Sequence, residues 1–158
     1  MKRRNGGQLG TKRYLEDLAI GQITKTHTIE VRETEIIEFA ARYDPQPLHT
    51  NAEFASEGPF SGLIASGWHV AALVMRLMVD CHLLGDTPLV GLGVDDLRWP
   101  KPVRPGDVLD AEIEVVSIVP SKSSPHHGIV RMKITAQNQR QQVVFSMTPN
   151  VWIPRRPL

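Results

Sequence analysis

The hydrophobic pattern of the chain changes period several times, and each change predicts a different element. From Gly21 to Val31 the run Gly-Gln-Ile-Thr-Lys-Thr-His-Thr-Ile-Glu-Val alternates and is rich in threonine, which predicts a strand with one polar face. Between Thr34 and Tyr43 the apolar positions Ile36, Phe39, Ala40 and Tyr43 fall on one face at helical spacing, with Thr34 as the expected cap. Pro45 and Pro47 forbid continuation of that helix. A short helical turn is expected after Thr50 or Asn51, running through Ala52, Glu53, Phe54 and Ala55. The segment Trp68–Leu84 then reads as a long helix whose apolar residues cover nearly the whole circumference, so other elements must wrap it on most sides.

The second half of the chain supplies the wrapping. Pro88–Trp99 reads as a strand and Lys101–Asp107 as a turn-rich connection. Leu109, Ala111, Ile113 and Val115 then alternate with Asp110, Glu112 and Glu114. A polar loop, 121–128, leads to a second alternating run at Val130, Met132, Ile134 and Ala136. A second polar connection, 138–142, leads to Val143, Phe145, Met147 and Val151. Strands joined by hairpin-length loops make an antiparallel meander, and a buried helix laid against a curved antiparallel sheet is an α+β architecture.

At 158 residues the chain has the length of one domain, with 41% apolar and 22% charged residues, a mixture that can build a core. No internal repeat or low-complexity linker divides it. Residues 1–12, rich in Gly and Lys/Arg, are expected to form a mobile N-terminal arm, and 13–158 a single domain. The formal net charge is +1, without the basic surplus of a nucleic-acid binder; the basic runs Lys2-Arg3-Arg4 and Arg155-Arg156 sit at the ends and read as solvated tails. The single cysteine, Cys81, cannot form an intramolecular disulfide and reads as a core residue in a reducing compartment. The apolar tract Leu63–Leu84 contains Ser66, His69, Arg76, Asp80 and His82, which argues against a membrane span. These features predict a soluble, cytoplasmic protein that binds neither nucleic acid nor membrane.

The stretch richest in candidate chemistry is Tyr43-Asp-Pro-Gln-Pro-Leu-His49. Asp44 and His49 lie on a proline-stiffened loop that can hold both side chains toward one point at reduced entropic cost. A carboxylate and an imidazole facing one water molecule form a general acid–base pair. Read alone, the same residues also fit a turn cap and a satisfied loop histidine. Elsewhere, His126-His127 lacks the neighbours of a metal site and reads as a solvated hairpin tip, so no metal is expected. His69, on the first turn of the long helix, either faces a pocket or packs beside Trp68. Arg98, Lys101 and Arg104 either meet a phosphate or form a solvated turn. No Gly-rich phosphate cradle or nucleophile elbow is present.

Phe39-Ala-Ala-Arg-Tyr-Asp-Pro-Gln-Pro-Leu-His-Thr-Asn-Ala-Glu-Phe-Ala-Ser56, followed by Gly62-Leu-Ile-Ala-Ser-Gly-Trp-His69, resembles the MaoC-like dehydratases, the family that includes the (R)-specific 2-enoyl-CoA hydratases. Leu97-Arg-Trp-Pro-Lys-Pro-Val-Arg-Pro-Gly-Asp107 resembles the strand–turn element of the same family. The likeness runs from about Tyr14 to Pro154. It implies a hot-dog fold, a long central helix wrapped by a curved antiparallel sheet, and a homodimer or higher assembly acting on an acyl-CoA thioester.

By that resemblance Asp44 accepts a proton from the attacking water, and His49 orients the water and takes part in proton delivery to the substrate α-carbon. Gly67 supplies a backbone N–H to the thioester oxygen. A helix N-terminus suits this role, because its N–H groups are unsatisfied and hydration builds enolate charge on that oxygen. Ser66, Gln46, Trp68 and Arg104 are the positions expected to touch substrate, with helix capping as the other reading of Ser66. Gln46 stands where the family usually has Asn, and Ser66 where its best-known hydratases carry His. The implied activity is a hydro-lyase, adding water reversibly to a trans-2-enoyl-CoA to give a 3-hydroxyacyl-CoA, with no cofactor beyond the CoA of the substrate. Two alternatives are a hot-dog acyl-CoA thioesterase and a non-catalytic acyl-CoA binding module. Hot-dog thioesterases commonly carry a carboxylate on or near the central helix, whereas Gly67 to Met75 has none.

Overall fold

The computed structural model describes residues 10–157. The Lys2-Arg3-Arg4 run and the expected arm as far as residue 9 therefore lie outside the described residues. Lys12 forms an isolated antiparallel bridge with Gly85. Gly85 has φ +57, and its lack of a side chain admits the Thr11 carbonyl.

In chain order the elements are a 3-10 turn at Leu15–Asp17, β1 (Ile23–Lys25), β2 (Ile29–Glu30), α1 (Glu33–Tyr43), α2 (Pro47–Thr50), α3 (Ala52–Ser56), α4 (Gly67–Asp80), β3 (Val90–Arg98), β4 (Val108–Pro120), β5 (His127–Gln137) and β6 (Val143–Pro154). The sheet order is β1-β4-β5-β6-β3, with β2 also on β4, and every pairing is antiparallel. β4, β5 and β6 are the expected meander.

The alternating runs behave as their period dictates. Leu109, Ala111, Ile113 and Val115 of β4, and Val130, Met132, Ile134 and Ala136 of β5, are buried on one face of the sheet. On β6 Phe145, Met147 and Val151 are buried as expected, but Val143 at the strand start is exposed and Val144 takes its place in the core. Val70, Val74, Leu77 and Met78 of α4 join these strands in a single core. Each such side chain contributes roughly 1.5–3 kcal/mol relative to exposure. This is the wrapped-helix α+β arrangement of a hot-dog fold. No helix among the described residues is long and apolar enough to cross a membrane.

Several boundaries differ from expectation for local reasons. The strand read over 21–31 is two short strands, because the Thr26 hydroxyl accepts the Ala111 N–H (2.9 Å) and interrupts the ladder. Helix α1 starts at Glu33, with Arg32 rather than Thr34 at the cap and no side-chain cap bond. Pro47 opens a new turn, α2, at its first position, where its missing N–H costs nothing. Asn51 caps α3, its Oδ1 accepting from the Phe54 N–H at 3.0 Å. Helix α4 stops at Asp80 rather than Leu84, because His82 turns the backbone to φ 49.

Two larger corrections concern surfaces. The fold does not cover α4 all round: Trp68 (61% exposed), Ala72, Met75 and Val79 form a bare stripe along the helix. On edge strand β3, Val90, Leu92 and Val94 are also exposed. The Arg155-Arg156 run is not a free tail. Arg155 Nε pairs with Glu16 (3.1 Å), the Arg156 N–H donates to Glu16 (2.9 Å), and the Arg156 guanidinium pairs with Asp17.

The connection between β3 and β4 is fixed from several directions. Asp107 is buried; its carboxylate accepts from the Arg104 N–H (2.9 Å) and the Gln139 amide (3.1 Å). The Val31 N–H donates to the Asp107 carbonyl (2.8 Å), and the Gly106 N–H donates to the Val31 carbonyl (2.8 Å). The Ala65 N–H donates to the Val103 carbonyl at 2.8 Å, joining this connection to the segment that leads into α4.

Candidate active site

Asp44 ends α1, its N–H still bonded to the Ala40 carbonyl, and its backbone (φ −152, ψ 65) turns the chain out of the helix. The turn tightens through Gln46 N–H to Asp44 carbonyl (2.7 Å) and His49 N–H to Gln46 carbonyl (2.9 Å). The proline-bracketed loop thus folds back and brings Asp44 Oδ2 to 3.4 Å from His49 Nε2.

Both partners are oriented from outside the pair. The Ser66 hydroxyl donates to Asp44 Oδ2 at 2.6 Å, and the Gln46 side-chain amide donates to Oδ1 at 2.7 Å. These two bonds hold the carboxyl below its ordinary value, burial opposes them, and the charge of His49 adds a smaller lowering. His49 Nδ1 lies 2.8 Å from the Ile64 carbonyl. A carbonyl only accepts, so Nδ1 carries a proton, and Nε2 faces Asp44. The Ile64 N–H returns a bond to the Leu48 carbonyl (3.3 Å), so α2 and the segment before α4 hold each other.

His49 lines a cleft of about 260 Å³, together with Phe60, Ile64, Gly67, Trp99 and Lys101. Gly67 opens α4, whose first N–H groups have no acceptor within the helix. The Trp99 indole lies directly over Gly67: it donates to the Gly67 carbonyl at 2.8 Å, and a Cβ at position 67 would stand 2.9 Å from the ring.

The sequence-derived candidates separate into two groups. Asp44, Gln46, His49 and Ser66 form one hydrogen-bonded cluster, and His49 and Gly67 share the cleft. Ser66 is buried and makes no side-chain cap bond; its hydroxyl serves Asp44 instead. Trp68 points outward and meets the cleft only through an edge contact with Trp99, with ring centroids 5.4 Å apart. Arg104 is committed to the Phe60 carbonyl (2.6 Å), bracing the loop before α4, while Lys101 belongs to the cleft wall. His69 packs on Phe39 of α1 (4.8 Å, near-parallel rings) rather than beside Trp68; its Nδ1 has no partner among the described residues, and burial pushes its pKa down. His127 is not merely a solvated tip: it stacks on Trp152 and bonds Ser124 Oγ at 2.9 Å. Trp99 was invisible as a site residue in the sequence, where it reads as the end of a strand.

The MaoC-like domain matches residues 17–138 of the chain. The protein belongs to the MaoC-like dehydratase family. The crystal structure of a MaoC-like dehydratase from Rhodospirillum rubrum is 44% identical, with a TM-score of 0.83 over 92% of this chain and 99% of that one. YdeM of Bacillus subtilis, a protein described as uncharacterized, is 33% identical over 141 residues, covering 89% of this chain and 99% of its own length. An (R)-specific enoyl-CoA hydratase, also from R. rubrum, is 31% identical over 117 residues, or 69% of this chain and 74% of that enzyme. Every element of the Asp44–His49 cluster and of the Gly67 cleft lies inside the MaoC-like domain.

Proposed function

We propose that this MaoC-like protein is a hydro-lyase that adds water reversibly to a trans-2-enoyl-CoA, with the Asp44–His49 pair as its acid–base group. The observation that carries this reading is that Asp44 Oδ2 stands 3.4 Å from Nε2 of His49, a residue that lines an apolar cleft. A water molecule satisfies both atoms by donating one hydrogen to each, which leaves its lone pair free to attack. The water oxygen bonds C3 of the substrate as the C2=C3 π pair moves toward the thioester carbonyl. The proton released enters the Asp44–His49 pair, which acts as one coupled group, and C2 receives a proton from it as the enolate collapses. The Gly67 N–H, at the positive end of α4, stabilises the enolate oxygen. Ser66 and Gln46 keep Asp44 ionised and aimed. The kinship with an (R)-specific hydratase supports an (R)-3-hydroxyacyl-CoA product.

The same reading includes a homodimer. The stripe Trp68, Ala72, Met75 and Val79, and the exposed β3 side chains with their unpaired edge, are surfaces that association buries. Met75→Glu is expected to shift the protein from dimer to monomer in light scattering; an unchanged mass rejects this interface. A thioesterase reading is disfavoured because the only carboxylate of α4, Asp80, is paired with Arg76 at 2.7 Å outside the cleft. Cys81, a free thiol, agrees with action in the cytoplasm.

Hydration of crotonyl-CoA by the purified protein, followed as loss of the enoyl-thioester absorbance with the product's configuration determined, tests the proposal. Turnover giving the (R) product supports it in full, and an (S) product removes only the stereochemical assignment. No turnover of short, long or branched enoyl-CoAs, with CoA esters still bound, replaces it with a binding module.

A further inference from the structure

We propose that Trp99 is the specificity-determining wall of the cleft and restricts the acyl group to short chains; this rests on the enoyl-CoA reading above. Three features of the ring support it. First, it is pinned: its N–H donates to the Gly67 carbonyl at 2.8 Å, and its edge contacts Trp68 and Phe145 at centroid separations of 5.4 and 6.1 Å. Phe145 is fully buried in the sheet, so the ring is anchored to the core as well as to the helix end. Second, it sits where a side chain at position 67 would exclude it, since a Cβ there would meet its Cε2 at 2.9 Å. Glycine at the helix entrance therefore makes the seat for the indole. Third, the space left is small. The cleft of about 260 Å³ falls below the roughly 300–1,000 Å³ of pockets that enclose a drug-sized ligand. Two other lining residues are also tied in place, His49 by the Ile64 carbonyl and the Phe60 backbone by Arg104.

A fixed wall discriminates by exclusion, and one methylene too many at a rigid apolar surface changes kcat/KM by about 10–200-fold. The test compares kcat/KM for crotonyl-CoA and trans-2-octenoyl-CoA in the native protein, Trp99→Leu and Trp99→Phe. The native protein is expected to prefer crotonyl-CoA. Trp99→Leu is expected to raise the octenoyl-to-crotonyl ratio by about tenfold or more. Trp99→Phe, which keeps a ring, is expected to preserve the native order. An unchanged ratio in a folded Trp99→Leu protein overturns the proposal.

Calorimetric titration of the native protein with butyryl-CoA and octanoyl-CoA gives a second readout independent of turnover and of any variant's folding. Tighter binding of butyryl-CoA supports the wall, whereas equal or tighter binding of octanoyl-CoA overturns it. Should the native protein hydrate no enoyl-CoA, the hydro-lyase reading fails, while the same titration of native and Trp99→Leu protein still decides whether Trp99 limits the acyl chain.

Discussion

Among the described residues two histidine–carboxylate pairs stand out, and they differ in their surroundings far more than in their geometry. In the first, His49 Nε2 and Asp44 Oδ2 are 3.4 Å apart, with 8% and 20% of their side chains exposed. In the second, His27 Nε2 and Asp80 Oδ2 are 3.7 Å apart, with 52% and 28% exposed. Distance barely separates them. Their surroundings do: the outer nitrogen of His49 is locked by a carbonyl, and both oxygens of Asp44 hold neutral donors from Ser66 and Gln46. Asp80 instead meets a guanidinium, Arg76, at 2.7 Å, which offsets its charge. A carboxylate kept ionised mainly by neutral donors keeps its charge to act on a water. One paired with arginine has already spent it.

The sharpest way to break the comparison is to remove the charge from the first pair alone. Asp44→Asn keeps the shape and deletes the ionised oxygen, and kcat for enoyl-CoA hydration is expected to fall by about 10²–10⁴-fold with the fold intact by circular dichroism. His49→Ala is expected to lower kcat by a similar factor. It also strands the buried Ile64 carbonyl, at about 1–3 kcal/mol of stability measured by urea denaturation. If the proposed pair is one acid–base group, the double variant is expected to be scarcely slower than either single one. Independent losses that multiply would mean that the pair is not one acid–base group.

Ser66→Ala sharpens the comparison at the next level, by testing the support rather than the pair. The Ser66 hydroxyl is the largest cause of the lowered Asp44 carboxyl, so its removal lets that carboxyl rise toward its ordinary value of 3.8. Since the folded-state value lies below the unfolded one, the stability supplied by ionised Asp44 is complete above the unfolded value and is lost as pH falls through the folded value. In Ser66→Ala that loss begins at higher pH, and the acid limb of the pH–rate profile moves the same way. At neutral pH the missing charge-assisted bond is expected to cost about 1.5–3 kcal/mol of stability. An acid limb that stays in place would assign the Asp44 environment to Gln46 alone.

How much of this was legible in the sequence follows from how local each feature is. Asp44, Gln46 and His49 sit within one proline-stiffened loop, so pattern and chemistry stood side by side in the chain. The meander was equally legible because alternation is a local signal, and β4 and β5 bury the faces it indicated. Ser66 meets Asp44 across 22 residues, and Trp99 meets Gly67 across 32; nothing near either residue announces its partner. For Ser66 the local preference for capping even pointed elsewhere, and the tertiary hydrogen bond to a charged oxygen won. The end of α4 was obscured because His82 adopts a left-handed backbone that its residue type does not require. The bare stripe of α4 shows the limit of circumference arguments. An apolar helix face says that it must be covered, and not that the same chain covers it.

The smallest expected effect tests whether the second pair is as inert as its surroundings indicate. Asp80→Asn removes the carboxylate shared by His27 and Arg76, all three of them partly or largely exposed. Exposed ion pairs contribute about 0–1 kcal/mol and are screened by salt, so the melting midpoint is expected to move little, and less still at high ionic strength. Hydration of crotonyl-CoA is expected to stay within about twofold of the native rate, as for a surface substitution away from the site. A fall comparable to that of Asp44→Asn would place Asp80 in the chemistry and revive the thioesterase-like use of a carboxylate on α4. Equal rates would leave the two pairs alike in composition and opposite in function, separated only by the neutral donors and the fixed imidazole that the first possesses.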